Sequence, residues 1–187
     1  MDVGQNVGQA YLDSAIENFR KMKRTAEDAM DQLQLGELHW APHGECNSTA
    51  RIVKHMAGNM VSRWTDFLTS DGEKPTRDRD GEFEGGYASR EQLLTEWNLG
   101  WERLFGAVEA LTPDDLLRTV YIRTEPHTVI QAVERQISHL AGHVGQIVYL
   151  AKQIRNSDWQ TLSIPRGQSK AYLEGMAERF RRDHSSR

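Results

Sequence analysis

Two histidines four residues apart, His139 and His143, stand in the run Gln136-Ile137-Ser138-His139-Leu140-Ala141-Gly142-His143-Val144-Gly145-Gln146, inside a long stretch of helical period. On a helix this spacing carries both imidazoles to one side, one turn apart. Two nitrogens so placed can grip one metal ion. The run is not the zinc-protease pattern, because Leu140 stands where that pattern needs a glutamate base.

Two side chains rarely hold a catalytic metal, so a third donor is expected. His127 precedes His139 by about 18 Å of straight helix, which is too far. His39 and His43 lie in the loop Glu37-Leu38-His39-Trp40-Ala41-Pro42-His43-Gly44-Glu45-Cys46 and stay open as candidates. His55 does too, against its own pattern. Its helical position points away from Val53, Met56 and Met60, to a side shared with Asn59, Ser62 and Asp66. By period it is a surface histidine, and it becomes a ligand only if that side faces the helix of His139. Asn59 and Gln146 each lie one turn from one of these histidines, where they could contact a bound water or substrate.

Other chemistry is thinner. Cys46 is the lone thiol, a fourth ligand or an inert loop side chain. Arg166 could reach back over the site to an anionic group. No Asp, Glu or Tyr flanks the histidines in sequence as a general base. Asp78, Asp80, Glu82 and Glu84 form an acidic run that does not fit a calcium loop.

The elements that must position these groups read as helices. Leu12, Ala15, Ile16, Phe19, Met22, Ala26, Met30 and Leu33 predict a first helix over 7–35. Asn47 or Ser48 caps a second, reaching about Thr69. Ser89-Arg90-Glu91-Gln92 opens a third, striped by Leu94, Trp97, Trp101, Leu104, Phe105 and Val108. A fourth runs over 128–154, and a short one over 169–182. Thr119-Val120-Tyr121-Ile122-Arg123 reads as extended, an arm of a small hairpin. Residues 70–88 have no period and read as a long loop, which asks for a reason.

The pattern predicts an all-α single domain over 1–187, a four-helix bundle with a short C-terminal helix. A loop as long as 70–88 can cross the bundle's height and let the second and third helices run parallel, giving up-down-down-up. Plain up-down-up-down stays open. Gly58, Gly142 and Gly145 sit inside helices at a cost of about 1 kcal/mol each against Ala, which a close approach or room for a ligand would explain.

Composition sets the class. Of 187 residues, 27% are charged and 38% hydrophobic, and the net charge is -4, which argues against nucleic acid as a partner. The basic Arg179-Phe180-Arg181-Arg182 reads as a solvated helix end. One cysteine allows no intrachain disulfide. The N-terminus does not read as a signal peptide, no run is apolar enough to span a membrane, and the expected location is cytoplasmic.

The run from His55 to Lys74, with His143-Val144-Gly145-Gln146-Ile147-Val148-Tyr149-Leu150-Ala151-Lys152 and Leu162-Ser163-Ile164-Pro165-Arg166-Gly167-Gln168-Ser169, resembles uncharacterised bacterial proteins of the DinB/YfiT-like superfamily. The resemblance covers nearly the whole chain. It implies an up-down-down-up bundle and a metal on three histidines, one from the second helix and two from the fourth: His55, His139 and His143. It also implies homodimers, and relatives that include transferases and isomerases dependent on low-molecular-weight thiols.

Three neutral imidazoles suit a divalent transition metal such as zinc, nickel, iron or manganese. Such an ion could activate water for hydrolysis or bind a thiol as thiolate for group transfer. The expectation is a metal-dependent transferase or hydrolase. The competing class is a non-catalytic, metal-binding or stress-associated dimer.

Overall fold

A computed structural model describes residues 3–185, with side chains described for 6–181. Met1 and Asp2, which open the N-terminus read above, and the side chain of Arg182 lie outside the described residues. The chain is mostly helical: α1 (Val3–Met30), a short α2 (Leu35–Leu38), α3 (Thr49–Trp64), α4 (Arg90–Glu109), α5 (Val129–Arg155) and α6 (Ser169–Ser185). An antiparallel hairpin, β1 (Thr119–Ile122) and β2 (Glu125–Thr128), leads into α5.

Side-chain caps start the long helices. Ser48 Oγ accepts from the Arg51 N–H, and Ser89 Oγ from that of Gln92. Thr128 and Gln131 cap each other reciprocally at the head of α5. The apolar stripes meet inside, with Phe19, Met56, Met60, Trp97, Trp101, Leu104 and Leu140 buried. α3 packs chiefly on α4, and α1 on α5. At Gly100 a β-carbon would stand 2.9 Å from Ala57 Cα, so glycine is what lets α3 and α4 approach.

Hydrogen bonds tie the helices to one another along their length. Between α1 and α5, Tyr11 bonds the Ile130 carbonyl at one end, and Gln32 bonds that of Gln160 just past the other. Between α1 and α4, Arg90 reaches Met30, Trp97 reaches Glu27, and Arg20 reaches Glu109. Between α3 and α5, Gln136 donates to Asn59.

Two helices stop earlier than the sequence pattern predicts. α1 ends at Met30, and the chain turns before Gln34 and Glu37 restart it as α2. α3 ends at Trp64. There the Thr65 hydroxyl bonds the Val61 carbonyl, and Asp66 turns left-handed at φ 50°. The extended stretch at Thr119 is β1. Its turn residues Arg123 and Thr124 have φ of 55° and 64°, the double left-handed turn that fits a two-residue hairpin. Neither is glycine, and the Asp71 carboxylate accepts from both their N–H groups, at 2.9 and 2.7 Å.

Residues 70–88 run back along α3. Ser62 Oγ donates to the Gly72 carbonyl and accepts from the Lys74 N–H. Lys54 Nζ then holds the Gly81 and Glu84 carbonyls. The Tyr87 N–H reaches His39 Nε2 just before α4 begins. One 3₁₀ turn, Gly81–Phe83, interrupts the segment. The loop covers the side of α3 that its apolar period marks as surface. His55, Asn59, Ser62 and Arg63 are therefore buried, at 6%, 4%, 3% and 4% exposure.

The helical glycines divide. A β-carbon on Gly58 would collide with the Glu82 carboxylate, whereas Gly142 and Gly145 have open space around them. α6 leaves Tyr172, Leu173 and Phe180 exposed. Among the described residues, no helix is long and apolar enough to cross a membrane.

Candidate metal centre

α5 sends His139 and His143 off one side, one turn apart, and the buried side of α3 sends His55 to meet them. Their Nε2 atoms converge: His139 Nε2 lies 3.1 Å from that of His55 and 3.2 Å from that of His143. One ring nitrogen from each can be chosen so that all three lie within 4.8 Å of one another, close enough to hold a metal ion. Bonds of about 2.0–2.1 Å to one ion place neighbouring nitrogens roughly 3.0–3.4 Å apart, which both short distances match.

The outer nitrogens set the tautomers. His55 Nδ1 lies 2.9 Å from Glu82 Oε2, and a carboxylate can only accept. With that proton on Nδ1, Nε2 presents a bare lone pair. His143 Nδ1 lies 2.8 Å from Gln146 Oε1, with the same result. Two lone pairs thus flank His139 Nε2, which can donate one proton to only one of them. A single cation satisfies all three. His139 Nδ1 is buried without a partner.

Glu82 is itself held. Arg77 Nε donates to its Oε1 at 2.7 Å and Arg77 Nη2 to its Oε2 at 2.8 Å. Burial works to raise the Glu82 carboxyl, but the hydrogen bonds from His55 and Arg77 outweigh it and hold it below the usual carboxylate range. Phe83 stacks on the His55 ring, centroids 4.7 Å apart. One 3₁₀ turn thus supplies the acceptor and the cover for one histidine, as carboxylate–histidine pairs do at metal sites.

Burial pushes the His139 imidazole from the usual 6.5 down to about 3, helped by His143, His55, Arg63 and Arg77. Burial also lowers His143, with His55 helping and the Gln146 bond opposing. Both rings refuse a proton in the fold that they take up once unfolded. As pH falls below 6.5, the unfolded chain gains protons that the folded one does not, so stability falls. Metal-stripped protein is expected to lose somewhat less than about 1.4 kcal/mol per pH unit from His139, which is partly solvated, with His143 adding in the same direction. Urea midpoints in chelator at pH 7, 6 and 5 measure this, and a flat series would contradict it.

Most of the other sequence candidates go elsewhere. His39 Nδ1 bonds the Leu35 carbonyl and its Nε2 accepts from Tyr87, so the ring staples the loop. His127 lies beside Glu125 on the hairpin. Cys46 lines a separate cavity of about 320 Å³ with Gln146 and Tyr149. Arg166 is exposed. Asn59 stays beside the site: its Oδ1 accepts from Gln136, and it lines one cavity with His55 and His139. Glu82, Arg77 and Phe83 are absent from the sequence reading as partners of a histidine. The collision that a side chain at position 58 would cause is the one trace they leave on a helix.

Residues 6–168 match the family described as protein of unknown function, DUF1572. The chain belongs to the DUF1572 family. The matched part of this DUF1572 protein takes in all three clustered histidines and Glu82, and ends before α6. No curated protein matches the chain.

Proposed function

We propose that this DUF1572 chain is a metal-dependent enzyme of the DinB/YfiT-like superfamily. Its ligands are His55, His139 and His143, and its reaction is a thiol-dependent group transfer or a hydrolysis. The observation that carries the reading is the convergence of three Nε2 atoms, two of which carry no proton when their Nδ1 partners are satisfied. A divalent ion held there, zinc, nickel, iron or manganese, would supply Lewis-acid activation of a coordinated water or thiol. Glu82 fixes the tautomer and tilt of His55, Gln146 those of His143, and Phe83 keeps solvent off one ring face.

The fold we propose with it is the up-down-down-up four-helix bundle. Contact pairs that advance together along α1 and α5 support it, as do pairs that run oppositely along α1 and α4. The descent of residues 70–88 along α3 supports parallel α3 and α4. Two copies are proposed to pair as a homodimer.

The test is metal content by mass spectrometry on protein purified without a histidine tag. Chelation, single-metal restoration, and assays of thiol transfer and ester hydrolysis follow. Activity lost on chelation and regained with one metal supports the enzyme. Metal without activity, with unfolding on chelation, replaces it by a structural site. No metal retained after incubation with zinc, nickel, iron and manganese salts sinks it.

A further inference from the structure

Arginine almost never enters a protein interior without a partner. Arg63 does: it is 4% exposed, and its Nε has no hydrogen-bond partner. It lies on α3 two turns beyond His55, on the side that faces α5. There it lines a cavity of about 150 Å³ whose one wall includes His55 and His139. Arg77, Arg79, Arg123 and Arg135 line the same cavity, and no carboxylate does.

Charge is not balanced behind the lining. Glu82 pairs with Arg77, and Glu73 with Arg77 and Arg123. Neither makes an ion pair with Arg63, which feels Glu73 only at a distance. Five guanidiniums outnumber the carboxylates beside them, Glu82 and Glu73 on their side chains and Asp71 on the Arg123 backbone N–H, in a chain whose net charge is -4. Burial first, and then Arg135, Arg77 and Arg123, lower Arg63 to about 10 against the opposing pull of Glu73, which still leaves it charged at neutral pH. Desolvating an uncompensated charge costs several kcal/mol, and a bound anion removes that cost.

The geometry points to an oxyanion site: the arginine cradle takes the carboxylate or phosphate end of a substrate whose other end meets the three histidines. The second half of that statement rests on the metal reading above, and the first does not. Guanidinium forks match carboxylate and phosphate oxygens. The cavity is smaller than the roughly 300–1,000 Å³ of a pocket for a whole small molecule, and suits one charged end of it. The walls then divide the work, with arginines holding the anion and histidines facing the reacting group.

The experiment is a thermal-unfolding titration of the full chain with inorganic phosphate, and separately acetate, at constant ionic strength. It is run on chelator-treated and on zinc-loaded protein. Chelator-treated parent is expected to melt higher as either anion is added. Arg63→Met, which removes an unpaired buried charge and keeps the volume, is expected to melt above the parent without anion. It should also need at least about tenfold more anion for an equal rise. Arg135→Ala, an exposed change that leaves the core alone, is expected to weaken the response in the same direction. No anion response in the chelator-treated parent, or a parent-like response in both variants, overturns the site. A phosphate response alone assigns the cradle to phosphate, and a response to both assigns it to oxyanions generally. Because the deciding arm contains no metal, a protein that binds no metal fails the metal reading and leaves this result to stand by itself.

Discussion

A His139→Ala protein is expected to bind metal at least about a hundredfold more weakly than the parent. A structural zinc site with four ligands is worth about 10–16 kcal/mol, so one ligand accounts for roughly 3. His139 is the costliest of the three to lose because its Nε2 is the one close to both others, at 3.1 and 3.2 Å. The fold itself should tolerate the change. The ring gives up no hydrogen bond at Nδ1, and its removal takes away a group that resists protonation, so the metal-free variant should be less sensitive to acid than the parent. Metal analysis beside circular dichroism separates the two effects. Parent-like metal content in a folded variant would remove His139 from the ligand set.

Glu82→Ala is expected to produce the largest loss of stability, about 3–5 kcal/mol, the range for breaking a buried ion pair from one side. The substitution leaves Arg77, whose side chain is 4% exposed, with only the longer 3.4 Å contact to Glu73, and leaves His55 Nδ1 without its acceptor. Metal affinity should fall about 10–100-fold as well, because the ring that Glu82 orients is free to tilt. Gly58→Ala reaches the same carboxylate from the other side, since its methyl would occupy the Glu82 position. It should reproduce the metal defect while keeping the charge. Urea unfolding and metal titration of both variants measure this. A loss under about 1 kcal/mol in Glu82→Ala would mean that Glu73 or solvent, not Glu82, balances Arg77.

The helices were legible because apolar residues recur every third or fourth position and hydroxyl caps precede them. The pairing of His139 and His143 was legible for the same reason, since four residues is one turn. His55 was not, and the cause is specific. Period separates apolar from polar faces, whereas this face of α3 is polar and buried, covered by a loop equally rich in charge. His55 stood open beside His39 and His43, and its choice among those candidates came from resemblance. Glu82 was visible only as one acid in a run of four. Nothing local distinguishes it from Asp78 or Glu84, because the histidine it holds lies on α3, 27 residues earlier in the chain. The early stop of α3 was hidden too: the apolar stripe continues through Phe67 and Leu68, and the left-handed turn at Asp66 ends the helix beneath it.

The distance along the chain between His55 and His139 has a consequence of its own. They are 84 residues apart and their rings touch. An ion shared between them would act on the unfolded polymer as a crosslink, closing a loop of that length. By chain-entropy arguments, such a closure in a disulfide removes about 4–5 kcal/mol of disorder from the denatured ensemble. This protein has a single cysteine and cannot make that bond within its own chain. A coordination bond is a clasp that opens on protonation or chelation rather than on reduction. The resistance of this chain to unfolding would then follow metal supply and acidity, and be indifferent to the redox state around it.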